Sequence, residues 1–363
     1  MQWQTITSSG VLAAGLIADG AIAQGDPDFG FEFVTIGDVG NRNTIDGEHA
    51  PFYANAYVGA VDYEFRIATL EVTVGQYFEF AQVYHPYYTA NTGNVLGHDA
   101  FTGGDICLAW GDISICDGVS PDRPIYMSWE YAARFVNWLH NGKVNEEWAF
   151  ETGVYDTSTF TQNPDETWNH QATHDPEARF WLPTRDEWTK AAYWDPEKDN
   201  GQGGYWLFPN GSDIESLPII EKNARLDPPI PFDVGSFPDV TSPWGIFDMA
   251  GGEKEWTETV AGGGTRTRHL LGSDHFHIEV GDIFSDDYVG NGGSGLVFFG
   301  IGAIRLASPV PSLADLNEDG HVNYFDISAF ISRFAEGDLV VDFDGDGDLD
   351  IDDVLMFLEL MNN

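Results

Sequence analysis

Two acidic loops near the carboxyl end constrain the fold of this chain more than any other feature of its sequence. Each places oxygen-bearing side chains at alternate positions, with Gly320 or Gly347 at position 6. A hard cation such as Ca²⁺ takes roughly six to eight oxygen ligands, and the glycine permits the sharp turn that directs them inward. The predicted calcium ligands are Asp315, Asn317, Asp319, His321, Asn323 and Asp326 in the first loop and Asp342, Asp344, Asp346, Asp348, Asp350 and Asp353 in the second.

Each acidic loop precedes a segment with helical apolar spacing. Ile327, Phe330 and Phe334 follow the first loop at intervals that place them on one helix face. An acidic disordered tail is the alternative interpretation, but it explains neither the glycines nor this periodicity. Pro309 and Pro311 precede the first loop, where an ordinary EF-hand would have its entering helix. The sequence therefore predicts a loop–helix unit that occurs twice.

This duplicated unit resembles the type I dockerin, a small calcium module that attaches secreted proteins to a cohesin-bearing partner. The resemblance covers about residues 313–360 and implies an all-α calcium module at 309–363. It also implies a cohesin-like or cell-surface scaffold protein as the partner. Dockerins commonly carry Ser/Thr-type recognition residues at loop positions 10 and 11, whereas this chain has Tyr324 and Phe325 in one loop and Ile351 and Asp352 in the other.

The amino-terminal segment has features of a secretory signal. A short run of small and apolar residues ends at Ala21-Ile22-Ala23, which fits cleavage before Gln24. The run lacks a preceding basic region and contains Asp19, so a buried helix is the alternative. We interpret residues 1–23 as a signal peptide, because the run is too short to span a bilayer and free calcium is abundant outside cells. This predicts a secreted or cell-surface protein.

The charge balance excludes several classes of partner. The formal net charge is −43, and the acidity extends through the whole chain. Such a surface repels nucleic acid and anionic lipid, so neither is an expected partner. The high aromatic content, 14%, argues against disorder and for a substantial core.

The chain has two cysteines, Cys107 and Cys116, in a segment rich in Gly and Asp. In an oxidising compartment we expect them to form a disulfide that closes a short loop, with two buried free thiols as the alternative. A metal site at these thiols would need further ligands, and His98 is the only histidine in that stretch.

Regular secondary structure is predicted at only a few places in the large amino-terminal region. Alternating residues at 63–67 and 70–74 indicate strands. Helical spacing at 128–139 indicates a helix. A second helix is predicted within 181–194, with Thr184 as the N-cap and Glu187 completing a capping box.

Five segments, in this order, resemble the signature blocks of the formylglycine-generating enzyme (sulfatase-modifying factor) domain. They are residues 70–77 (LEVTVGQY), 123–132 (RPIYMSWEYA), 179–188 (RFWLPTRDEW), 244–257 (WGIFDMAGGEKEWT) and 302–307 (GAIRLA). The resemblance implies a domain at 29–308 with the irregular α+β fold of that family, which is related to C-type lectin-like domains. The whole chain would then be α+β, with a small all-α dockerin-like module.

The resemblance does not extend to the copper ligands of the family's enzymes. Those enzymes oxidise a substrate cysteine to formylglycine with copper held by two cysteines after a Gly-Gly-Ser block. Here that block is similar to Leu271-Gly272-Ser273, and residues 274–307 contain no cysteine. Cu(I) prefers thiolate ligands, so we expect a non-catalytic domain that binds a glycan or a protein.

The resemblance also implies a structural calcium site in the large domain. The family's Gly-Asn-Val-Trp-Glu-Trp turn corresponds to residues 251–256 here. The implied ligands are the side chains of Asp248 and Glu255 and the carbonyl oxygens of Gly251 and Glu253. A solvated acidic turn without an ion is the alternative.

A histidine cluster occurs where the copper cysteines would be. His275 and His277 would share one face of a strand, with His269 close in sequence. Polar residues lining a cleft are the ordinary explanation. A His/carboxylate site for iron, copper or zinc is the alternative, and it would make the chain a metal-dependent oxidase.

Overall fold

The computed structural model describes residues 28–48, 57–95, 99–109, 112–214, 232–250, 252–262, 264–272, 288–291, 302–317 and 322–361. The predicted signal peptide lies outside them. Strands and helices are both present, as expected for an α+β chain. The strands are β1 (Phe33–Ile36), β2 (Phe65–Ala68), β3 (Ile106–Ala109), β4 (Asp112–Ile115), β5 (Trp194–Asp195), β6 (Gly204–Tyr205), β7 (Glu255–Val260), β8 (Thr267–Leu271), β9 (Tyr288–Asn291) and β10 (Ala307–Ser308).

Most helices are short. They are α1 (Val74–Thr92), α2 (Asp99–Thr102), α3 (Trp129–His140), α4 (Glu147–Glu151), α5 (Arg185–Tyr193), the single turn α6 (Lys198–Gly201), α7 (Tyr324–Glu336) and α8 (Ile351–Leu360). Two 3₁₀ turns lie at Thr157–Thr159 and Leu339–Val341. No helix in the described part of the chain is both long and apolar enough to cross a membrane.

Two small antiparallel sheets organise the large domain. In the first, β2 lies between β1 and β10, so that Ile67 faces Val34 on one side and Ala307 on the other. In the second, β8 lies between β7 and β9, and the register shifts between Trp256 and Val260. The pairs β3–β4 and β5–β6 form separate ribbons. Strands this short bury little area by themselves, so the packing between elements must supply most of the stability.

Aromatic side chains form the core between α1 and α3. Phe80 lies within 6.5 Å, centroid to centroid, of the rings of Tyr77, Tyr84, Phe101 and Phe135. All five rings are almost fully buried. Offset and edge-to-face contacts of this kind favour one arrangement of the rings over others. The aromatic composition is therefore used for the core, as the sequence indicated.

Both helices predicted for the large domain are confirmed. Helix α3 begins directly after Ser128, and α5 begins after Thr184. The Thr184 hydroxyl accepts a hydrogen bond from the Glu187 N–H, and the Glu187 carboxylate accepts one from the Thr184 N–H. The predicted capping box is therefore present.

The strand predicted at 63–67 is confirmed as β2, which begins two residues later than expected. The strand predicted at 70–74 is wrong. There, Thr73 is the N-cap of α1 and exchanges capping-box hydrogen bonds with Gln76. Alternation correctly indicated that Val72 and Val74 are buried, although Glu71 beside them is buried as well. The extended segment nevertheless does not continue as a strand, because helix α1 begins directly after Thr73.

The C-terminal loop–helix pair has a small core of its own. Phe330 of α7 and Phe357 of α8 stack with ring centroids 4.3 Å apart, and Val341 is buried with them. Within residues 302–314, which precede the first acidic loop, no helix is present. The two predicted helices therefore follow their loops, and no helix enters the first loop from the preceding described residues.

The segment around His174 is attached to the second sheet by a buried carboxylate. Glu258 of β7 accepts hydrogen bonds at Oε2 from Tyr155 Oη at 3.1 Å and from the backbone N–H of His174 at 2.9 Å. The same oxygen lies 2.9 Å from His174 Nδ1, and the imidazole stacks on Trp181. Burial opposes a positive charge on His174, but the hydrogen bond and the charge of Glu258 raise its pKa above the ordinary value.

We predict that His174→Gln destabilises the protein more at about pH 5.5 than at about pH 8.5, with a loss of about 1–2 kcal/mol at the lower pH. A histidine whose pKa is raised by folding contributes stability below its unfolded pKa, near 6.5, and loses that contribution as the pH rises through the folded pKa. Chemical denaturation at both pH values measures the difference.

His85 is the matched control, because burial lowers its pKa. For this residue the sign is reversed: the wild-type protein loses stability as the pH falls, so His85→Gln should be better tolerated at the lower pH. An equal loss for His174→Gln at both pH values would mean that the imidazole acts only by packing on Trp181.

Candidate functional site

The second acidic loop brings three carboxylates together. Asp342, Asp344 and Asp353 each offer an oxygen, and these oxygens lie within 4.8 Å of one another. Among the described residues, this is the only group of three or more His, Cys, Asp or Glu side chains with ligand atoms so close. Three of the six ligands predicted for this loop are thus gathered at one point.

Backbone N–H groups orient the carboxylates of this loop. Asp342 accepts hydrogen bonds from the N–H groups of Gly345 at 2.8 Å and Gly347 at 3.0 Å. Gly347, at position 6, has φ of 92°, a conformation that side chains other than glycine rarely adopt. The turn predicted from the glycine is therefore present, and it folds the loop around the Asp342 carboxylate.

The last aspartate of each loop makes the same three hydrogen bonds. Asp353 accepts from the N–H groups of Phe343, Asp344 and Asp350. In the first loop, Asp326 accepts from the corresponding N–H groups, which belong to Leu316, Asn317 and Asn323. In both loops, this carboxylate connects the start of the loop to the first turn of the following helix. The internal repeat in the sequence is thus repeated in the hydrogen-bond pattern.

The carboxylates of the second loop repel one another. The charge of Asp346 is the main cause of the raised pKa of Asp348. For Asp344, a hydrogen bond from the Asp346 N–H works against the shift, but burial and the charges of three neighbouring aspartates raise the pKa. The pKa of Asp353 is lowered, chiefly by the N–H of Asp350. A divalent cation would offset this repulsion.

Only part of the first loop is described. Asp315, Asn317, Asn323 and Asp326 are in the described residues, whereas Asp319 and His321 are not. The ligand set of this loop therefore stays a prediction.

The turn predicted to bind calcium in the large domain contains a buried ion pair. Glu255 accepts hydrogen bonds from Arg305 Nη2 at 2.7 Å and from Trp188 Nε1 at 2.7 Å. Asp248 accepts at Oδ2 from the Gly235 N–H at 2.5 Å. Gly251 lies outside the described residues. The ion pair engages both oxygens of Glu255, and calcium binding at this turn stays a prediction.

Sequence reasoning missed two charged residues at this turn. Arg305 also donates hydrogen bonds to the carbonyl oxygens of Ala68 and Phe247, so one buried guanidinium contacts three separate segments. Glu71 accepts from the Glu253 N–H, and burial, followed by the charge of Glu255, raises its pKa well above the ordinary value. Both residues belong to sequence blocks noted above, LEV and IRL, but periodicity shows only burial and not the charge pairing.

The Glu71 carboxylate approaches Gly252 closely. A Cβ atom at position 252 would lie 2.9 Å from Glu71 Oε2, at the end of that side chain, so a larger residue here would require the carboxylate to move.

The predicted histidine cluster is described only at its first member. His269 lies in β8, where its carbonyl oxygen accepts a hydrogen bond from the Thr257 hydroxyl. His275 and His277 lie outside the described residues. Metal binding by the cluster stays a prediction.

Cys107 of β3 and Cys116, directly after β4, form a disulfide with their Cα atoms 5.0 Å apart. The bridge joins the two strands at the open end of the β3–β4 ribbon. Since the chain contains two cysteines, no thiolate is available as a ligand while this bridge is intact.

Three solved structures that are similar to this chain have low sequence identity to it. CarF shares 18% identity over 77% of this chain and 99% of its own, with a TM-score of 0.44. Treponema denticola variable protein 1 shares 16% over 77% and 95%, with a TM-score of 0.43. PvdO from Pseudomonas aeruginosa shares 15% over 77% and 92%, with a TM-score of 0.41.

A search of curated proteins finds no match. The sequence profile of the family described as the sulfatase-modifying factor enzyme 1-like domain matches residues 33–300. This range includes four of the five blocks noted in the sequence. Because the match covers more than half of the chain, the chain belongs to the family of sulfatase-modifying factor enzyme 1-like domains.

Proposed function

We propose that this chain is a secreted calcium-binding protein whose large domain is a non-catalytic binding or structural module. One observation carries the proposal for the large domain: both cysteines of the chain are in one disulfide, Cys107–Cys116. Copper chemistry of the family's kind needs a pair of thiolates, and a disulfide supplies none. The large domain then recognises a glycan or a protein.

The acidic loops supply the calcium sites in this proposal. The oxygens of Asp342, Asp344 and Asp353 are close enough to share one ion. The three hydrogen bonds made by Asp353 hold its carboxylate at the first turn of α8. A loop that is already folded around repelling carboxylates loses that repulsion on binding Ca²⁺, which favours association. The equivalent bonds of Asp326 support a second site in the first loop.

The dockerin-like module attaches the protein to a cohesin-like or cell-surface scaffold partner. Tyr324, Phe325 and Ile351 occupy the positions at which dockerins contact their partners, and each side chain is more than 60% exposed. The rings of Tyr324 and Phe325 lie side by side, with centroids 6.3 Å apart, and a contiguous exposed apolar patch is typical of a binding surface. Their apolar character supports a partner surface that is less polar than that of ordinary cohesins.

The alternative function is a metal-dependent oxidase of the same family with a metal held by His269, His275 and His277. Of these residues, only His269 is described. The disulfide argument does not apply to imidazole ligands, so activity measurements must separate the two functions.

For the calcium loops, we predict that Asp344→Asn and Asp353→Asn each weaken one calcium site of the full-length protein by about tenfold or more, since each removes a charged ligand. Calcium titration by calorimetry, after removal of bound metal, measures the change. Asp352→Asn is the matched control, because its side chain is exposed and lies beside the ligand set. If the wild-type protein binds no calcium at millimolar concentration, the proposal fails.

For the calcium site of the large domain, Asp248→Asn should lower the melting temperature in calcium and leave it almost unchanged in EDTA. Asparagine keeps the size of the side chain and can accept the Gly235 N–H, but it lacks the charge that a calcium ion would need. A site saturated about 100-fold above its Kd contributes about 2.7 kcal/mol to stability.

Glu255→Ala provides the contrast for this measurement. It leaves Arg305 buried without its carboxylate and should cost about 3–5 kcal/mol even in EDTA, with a further loss in calcium because it also removes a predicted ligand. If Asp248→Asn shows no difference between the two conditions, calcium does not bind at this turn.

For activity, the protein incubated with copper and oxygen should leave a sulfatase-type Cys-x-Pro-x-Arg peptide unmodified, as measured by mass spectrometry. An active formylglycine-generating enzyme under the same conditions is the positive control. Conversion of cysteine to formylglycine would refute the non-catalytic function. Two variants would then identify the metal ligands. If the conversion persisted in a Cys107→Ser, Cys116→Ser variant and disappeared in a His269→Ala, His275→Ala, His277→Ala variant, the metal-dependent oxidase would become the proposed function.

A further inference from the structure

A buried arginine lies in the second sheet, outside the acidic loops and the predicted calcium ligands of the large domain. The guanidinium carbon of Arg268, in β8, lies 4.0 Å from the ring centroid of Trp129, the first residue of α3. Arg268 is fully buried, and Trp129 is 1% exposed. Burying a charge is costly unless a counter-charge or a full set of hydrogen bonds offsets the loss of water.

No carboxylate offsets the charge of Arg268 within hydrogen-bond distance among the described residues. Its Nη atoms donate to the carbonyl oxygens of Gln171, Ala172 and Glu258. The Glu258 carboxylate is already engaged by His174 and Tyr155. Burial lowers the pKa of Arg268 to about 10, because the loss of water disfavours its charged form. This is unexpected in a chain with 59 acidic and 16 basic residues.

Three buried nitrogen atoms in this neighbourhood have no hydrogen-bond partner in the described part of the chain. They are Nε of Arg268, Nε1 of Trp129 and Nδ1 of His170. His170 is 2% exposed, and its ring lies 6.4 Å from that of Trp129, nearly perpendicular to it. The other nitrogen of His170 lies 3.0 Å from Glu130 Oε1, which fixes the ring. An unpaired buried donor costs about 1–3 kcal/mol, so an acceptor at this place would be favourable.

The surroundings favour a small anion as that acceptor. Phe160 contacts both Trp129 and His170, with ring centroids 5.7 and 4.6 Å away. Aromatic edges carry partial positive charge, and indole and guanidinium N–H groups donate only. The three side chains are at most 2% exposed, so the acceptor must be small. A single-atom anion is the smallest charged acceptor.

We propose that Trp129, Arg268 and His170 form a binding site for a halide ion, with chloride as the natural occupant. The indole and guanidinium N–H groups donate to the ion, and His170 donates a third hydrogen bond when its imidazole is protonated. The halide offsets the charge of Arg268 and so ties β8 to the start of α3.

The first test is crystallographic and uses the full-length wild-type protein. Crystals prepared in sodium bromide should give an anomalous peak at the bromine absorption edge, located among Trp129 Nε1, Arg268 Nε and His170 Nδ1. Water density without an anomalous peak at this place would overturn the proposal. Peaks confined to surface arginines would do the same, because they would indicate adventitious ions only.

The second test compares anions in solution at constant ionic strength. Chloride and bromide should raise the melting temperature of the wild-type protein over acetate, which is larger than either halide. For a Kd of about 10 mM, 100 mM halide would favour the folded state about elevenfold, a shift on the order of 2 °C. Equal melting temperatures in the three salts would contradict the proposal.

Trp129→Phe keeps an aromatic ring but removes the indole N–H, and it should abolish the difference between halide and acetate. Trp138→Phe is the matched control. Trp138 is also in α3, is 3% exposed and has an Nε1 without a described partner, but no buried arginine lies over its ring. A halide effect that survives equally in both variants would refute the site. If Trp129→Phe does not fold, the bromide peak in the wild-type protein decides.

Discussion

The structure of the large domain depends on the buried ion pair between Arg305 and Glu255. Arg305 lies just before β10 and donates to Ala68 at the end of β2, to Phe247, and to Glu255 at the start of β7. Trp188 of α5 adds a fourth connection through its indole N–H. The ion pair of Arg305 and Glu255 thus joins both sheets and a helix. An isolated buried pair often contributes little net stability, but this pair fixes the relative positions of strands too short to do so alone.

The same ion pair limits what the neighbouring acidic side chains can do. Glu71, Asp248 and Glu255 place three carboxyl groups around one arginine, and burial raises the pKa of Glu71 and Asp248. The cluster therefore carries more negative charge than Arg305 can balance if every carboxyl group is ionised. Protonation of Glu71 or binding of a cation would each offset the excess. The proposed calcium ion and Arg305 would therefore offset the charge of the same group of carboxylates.

The C-terminal loops hold their neighbouring carboxylates in a different way. There, backbone N–H groups and not an arginine hold the carboxylates, and Asp326 and Asp353 do so with the same three bonds in each loop. A carboxylate held by N–H groups retains its charge and has lone pairs left for an ion. In the second loop Asp344 is exposed and Asp342 partly so, although Asp353 is buried, whereas the large domain buries its carboxylates around Arg305.

Local sequence determined the features that depend on local physical chemistry. The glycine at position 6 gave the sharp turn of the second loop, and the Thr184–Glu187 capping box began α5 where expected, because each involves residues a few positions apart. Similar local chemistry, the Thr73–Gln76 box, ended the segment that alternation had suggested as a strand. The order of five sequence blocks was sufficient for the family, which the profile match at 33–300 shows.

Only the tertiary structure decided which charges meet. The pairing of Arg305 with Glu255, the approach of Glu71 to Gly252 and the burial of Arg268 against Trp129 join residues distant in the chain. Periodicity reports that a side chain is buried but contains no information about its partner across the core. Hydrogen-bond partners and offsetting charges are set by packing. For this reason the sequence alone determined the turn of the second acidic loop and the family, and the tertiary structure decided the electrostatics.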